Sequence, residues 1–166
     1  MPSFKKRLTE LAVQHKESQQ QREDSHKEVL RAMGERERQS KSEFAQLRDK
    51  VLVPMVNEAD AEFKGSGAHF EWFSEQKATA LADQIRTFVQ VLYYPKGRSK
   101  QNVGLNTASL LFECIPAHGK VRIRQNTQSF RPAPLVEVKE LPLSELNQEA
   151  IESAFEGFIT EVISKD

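Results

Sequence analysis

An α+β fold is predicted for this chain, with a long charged N-terminal helix, an antiparallel β-meander and a closing amphipathic helix. Three observations predict it. Apolar residues are sparse before Phe44 and absent between Val13 and Val29, aromatic and β-branched residues crowd the middle, and a helical apolar stripe returns at the end. At 166 residues, with 38% hydrophobic and 29% charged side chains, the chain suits one modest domain with an appendage better than a single large core.

The first element is read from helix-forming composition. Residues 1–64 are rich in Glu, Lys, Gln, Arg and Ala and form an extended charged helix, docking on the domain from about residue 44. Phe4, Leu8 and Leu11 open a spacing of four and three that runs on through His15, Ser18, Arg22, Ser25, Val29 and Ala32. The geometry is coiled-coil-like, yet the middle of the seam is polar. All 15 residues between Val13 and Val29 are polar. Because coiled coils draw their stability from apolar a and d positions, such a helix pairs weakly with itself or takes a partner that supplies apolar surface. Fully helical, it would reach roughly 90 Å, far beyond the width of the remaining domain. Phe4, Leu8, Leu11 and Val29 are therefore the candidate residues for self-association, with a homodimer or a protein partner as the expected outcome.

A second stripe begins at Phe44 and continues through Leu47, Val51, Leu52, Met55, Val56, Ala59 and Phe63. It predicts docking on the domain. Pro54 removes the hydrogen bond to the Lys50 carbonyl, so a kink or a helix restart is expected near it. Gly65-Ser66-Gly67 then marks the stop.

Residues 65–166 form the antiparallel domain. Strands are predicted at 68–75, with Phe70 and Trp72 on one face, and at 86–94, ended by Pro95. The second keeps an alternative, since Ala78, Leu81, Ala82, Ile85, Phe88 and Leu92 also fit a helical stripe. A hairpin joins 109–115 to 120–125 through Pro116-Ala117-His118-Gly119. Its register places Cys114 opposite Val121, Phe112 opposite Ile123 and Glu113 opposite Arg122, so apolar meets apolar and opposite charges meet. A further strand at 135–139 follows a proline-rich connection, for a meander of about four strands. The closing helix carries Ile151, Ala154, Phe155, Phe158, Ile159, Val162 and Ile163 on one face, with Ser144 or Asn147 as its cap.

Charge and chemistry narrow the function. The net charge is zero, but residues 65–134 sum to +5 and residues 135–166 to −6, which predicts mutual neutralisation. One cysteine rules out an internal disulfide, and neither a signal-like leader nor an apolar membrane span is evident, so a cytoplasmic setting is expected. No catalytic residue, metal site, cofactor or small-molecule ligand is predicted. The four histidines lack ligand spacing, Cys114 falls on an apolar strand face, and Lys96-Gly97-Arg98-Ser99-Lys100 lacks the first glycine of a phosphate loop.

One constellation remains. Lys96, Arg98 and Lys100 in a loop, Lys120, Arg122 and Arg124 on the hairpin, and Arg131 are interleaved with Tyr93, Tyr94 and Phe130. Cations beside aromatics on a sheet can hold a nucleic-acid backbone and stack its bases. The competing explanation is a self-paired face, with Glu113 neutralising Arg122 and the acidic final helix offsetting more. The leading expectation is a non-enzymatic interaction or scaffold module acting through its helix; nucleic-acid or other polyanion binding is the alternative.

Overall fold

The computed structural model describes residues 3–78, 85–129 and 133–165, with side chains described outside residues 75–86. The predicted α+β fold is present. The chain divides into two compact units, Met1–Arg36 and Glu37–Asp166.

The first unit lies within helix α1, Phe4–Leu47. No described residue between 3 and 36 is buried. That follows from composition, because a stretch dominated by Gln, Glu, Lys and Arg has nothing to fold against.

The second unit begins with the end of the same helix. Here Ser40 and Phe44 are buried, so packing starts a turn earlier than the apolar stripe implied. Ser40 lies against the turn between two strands, where a Cβ added to Gly119 would stand 3.8 Å from its Oγ, an ordinary contact distance. Arg48–Leu52 then form a π-helical turn, with the Val53 N–H donating to the Arg48 carbonyl five residues back. Helix α2, Val53–Phe63, starts immediately and holds Pro54 in its first turn. The expected disturbance is thus a restart, and its form has a physical reason. Proline has no N–H to give, and the first turn of a helix is where that donor is not needed. Gly67 closes the stretch in the left-handed region at φ 85°.

Five strands follow as β1 His69–Ala78, β2 Ile85–Tyr94, β3 Ala108–Ile115, β4 Lys120–Asn126 and β5 Val136–Pro142, paired antiparallel in sequence order. Each strand segment read from the sequence is present, which makes five where a meander of about four was expected; β2 is a strand from Ile85 onward, and residues 79–84, which carried part of the helical alternative, lie outside the described residues. The hairpin register is as predicted, with Phe112 opposite Ile123, Glu113 opposite Arg122 and Cys114 opposite Val121. At the β4–β5 pairing Val138 is an extra, unpaired residue, a bulge that blunts the outer edge.

Helix α4, Gln148–Lys165, closes the fold. Asn147 caps it, its Oδ1 accepting from the Ala150 N–H at 2.9 Å, while Ser144 sits in a preceding 3-10 turn. Its Ile151, Phe155, Phe158 and Val162 join Phe44, Leu52 and Val56 against one sheet face carrying Phe70, Val91, Leu110, Phe112, Cys114 and Val121. Burial of the four α4 side chains contributes roughly 6–12 kcal/mol, comparable with the whole stability of a small domain.

Candidate functional site

Two regions carry the residues singled out by sequence. In the first unit, Phe4, Leu8, Leu11 and Val29 are 68%, 49%, 60% and 56% exposed. Val13, Leu30 and Met33 join them as exposed apolar side chains. At 100° per residue, Phe4, Leu8, Leu11, Val29 and Met33 fall within about 60° of one another, which makes one face. Met33 replaces Ala32 in the seam for a geometric reason. An α-helix turns every 3.6 residues, so a heptad pattern drifts about 20° per repeat and the line through Val29 reaches residue 33.

The basic constellation in the second unit is dispersed. Sheet register sets the 96–100 loop and the hairpin turn at opposite ends of the strands: Tyr93 pairs with Ala108 at one end of β3, and Ile115 with Lys120 at the other. Seven residues of extended chain separate them, about 23 Å at 3.3 Å per residue. Lys96 packs near Gly67, where a Cβ would come within 2.9 Å of its Cγ. Lys100 opens a short helix α3, Lys100–Val103, and Arg131 and Phe130 lie outside the described residues. Tyr93 and Tyr94 are buried at 4% and 0% exposure, so neither offers a free ring for base stacking. Tyr94 is held by its hydroxyl donating to the Gly104 carbonyl at 2.8 Å, and His69 stacks on its ring at 4.9 Å.

Lys120, Arg122 and Arg124 do share a face, but each has a carboxylate beside it. Lys120 lies 3.6 Å from Glu140, and Arg122 lies 3.4 Å from Glu140 and 3.8 Å from Glu137. Arg124 donates to Glu113 at 3.0 Å. Two expectations are corrected here. Glu113 makes its ion pair with Arg124 rather than with Arg122, its register partner, because long side chains reach the diagonal neighbour across a twisted sheet. Offsetting acids come from β5 rather than from the final helix, since α4 packs on the opposite, apolar face. The pairs that Lys120 and Arg122 make with β5 are solvent-exposed and add little stability. Their consequence is that the face carries alternating charge.

Cys114 is fully buried. Burial, with a smaller contribution from Glu43, pushes its thiol up to about 12, which leaves it protonated and non-nucleophilic near neutrality. Among the described residues no group of three or more His, Cys, Asp or Glu is placed to hold a metal ion, and no helix is long and apolar enough to cross a membrane. An open groove of about 330 Å³ runs between Lys50, Pro54 and Met55 on one side and Gln148, Glu152 and Phe155 on the other. It flanks the π-helical turn, a feature the sequence signalled only through Pro54.

No protein-family model, curated protein or solved structure matches the chain.

Proposed function

We propose that the protein is an interaction module whose N-terminal helical segment supplies the association surface and whose α+β unit supplies a folded base. The observation that carries this reading is the contrast between the two units. Residues 4–33 hold seven large apolar side chains exposed by 49% or more, while residues 37–166 bury a continuous apolar core. An isolated helix without a packed face gains little from propensity alone, so a partner covering that face would stabilise it.

Light scattering on the full chain at tens of micromolar tests the self-association half. A dimer that falls to monomer on Leu8→Glu with Leu11→Glu supports it; a monomer throughout removes it. A pull-down comparing the parent chain with the same variant tests the heterologous half.

Polyanion binding through the basic face and the 96–100 loop is the other reading in play. It stands on fewer observations, because β5 and Glu113 place carboxylates against all three hairpin cations and the loop sits at the far end of the strands.

A further inference from the structure

The exposed face of the first unit is close to palindromic. Counting inward from its ends, the residues on that face are Phe4, Leu8, Leu11 and His15 from one side, and Met33, Val29, His26 and Arg22 from the other. The successive spacings are four, three and four residues from either end, with the midpoint between Ser18 and Gln19. Each apolar cluster thus has its counterpart at the mirror position, and both clusters are exposed.

Resting on the self-association reading above, we infer that the partner of this face is a second copy of the same helix, running antiparallel. Mirror pairing sets Phe4 against Met33 of the other copy, Leu8 against Val29 and Leu11 against His26. Both ends of the pair then become apolar layers. The polar centre, His15 with Arg22 and Ser18 with Gln19, falls at the two-fold axis.

A parallel pair would also stack Phe4, Leu8, Leu11, Val29 and Met33, each on itself, so apolar content alone does not choose the orientation. Charge does. The parallel arrangement sets Arg22 against Arg22 in the seam and brings the two Lys5-Lys6-Arg7 triplets together, six cations around one end. Antiparallel pairing moves the triplets to opposite ends, about 37 Å apart from the 25 residues between Lys6 and its mirror position Arg31. Like charges at close range are destabilising, and opposed helix dipoles attract.

Single-cysteine cross-linking reads the orientation directly. Cys114 is buried and does not compete. Disulfides require Cα atoms within about 7 Å, whereas residues 8 and 29 on parallel chains would stand about 32 Å apart along the axis. Leu8→Cys and Val29→Cys proteins are mixed and oxidised mildly, with Ser18→Cys as a position near its own counterpart in either orientation. The expected result is a mixed 8–29 disulfide severalfold in excess of the 8–8 and 29–29 species, with Ser18→Cys cross-linking efficiently to itself. Efficient 8–8 and 29–29 disulfides without the mixed species overturn the antiparallel arrangement while leaving self-association intact. Absence of any cross-link, Ser18→Cys included, together with a monomer by light scattering, overturns self-association itself.

Discussion

Arg124 donates to the Glu113 carboxylate at 3.0 Å across the outer face of β3 and β4, and Glu113 is 7% exposed. An arginine held against a buried glutamate is costly to orphan. Glu113→Ala is expected to destabilise the second unit by about 1–3 kcal/mol, discounted for the partial exposure of Arg124. Urea unfolding followed by the fluorescence of Trp72, the single tryptophan, measures it.

Cys114 supplies a chemical prediction. Its thiol is raised to about 12 by burial, so at pH 8 the folded protein should resist thiol-modifying reagents, and reaction should appear only with denaturant. The same shift has a sign for stability. An acid whose native pKa lies above its unfolded value favours folding at low pH, and that contribution is lost as pH rises from about 9 toward about 12. Tyr94, raised in the same sense chiefly by desolvation and then by Glu71, acts in the same direction. Thermal melts across that range should fall steadily.

Gly67 ends the helical stretch at φ 85° with Lys96 against its open side. Both the backbone and the space argue against a side chain there. Gly67→Ala is expected to cost about 1–2 kcal/mol from the left-handed conformation alone, whereas Gly34→Ala, with nothing within 4 Å of its added Cβ, should be neutral or slightly stabilising by helix propensity. Paired chemical denaturation of the two variants checks the contrast.

The basic face gives a prediction about what does not bind. With carboxylates beside Lys120, Arg122 and Arg124, the protein should show only weak retention by mixed nucleic acids at physiological salt. Arg122→Glu with Arg124→Glu should leave that retention essentially unchanged. Tight, steeply salt-dependent binding abolished by those substitutions would instead establish the polyanion reading.

How far each element could be read from the sequence follows the range of the interaction that makes it. Hairpin register was legible because it depends on neighbours across a short turn, where a slip of one residue would have put Cys114 and Phe112 on the wrong face. The stop at Gly65-Ser66-Gly67 was legible, and the cap was narrowed to Ser144 or Asn147, because stops and caps act within a single turn of helix; the structure selects Asn147. The strand form of β2 was ambiguous in isolation, since an apolar run satisfies either period until β1 and β3 pair with it.

The sequence by itself determined which segments could build a core: before residue 40 the apolar residues are too few and too scattered to bury themselves, and after it they are plentiful. Hydrophobicity is a property of each side chain and survives without a structure. Only the tertiary structure decided which charge met which. It sent Glu113 to Arg124, gave Arg122 to the carboxylates of β5 and held the 96–100 loop apart from the hairpin. Ion pairs form between groups distant in sequence, and sheet order, twist and the face that each helix covers set their separation.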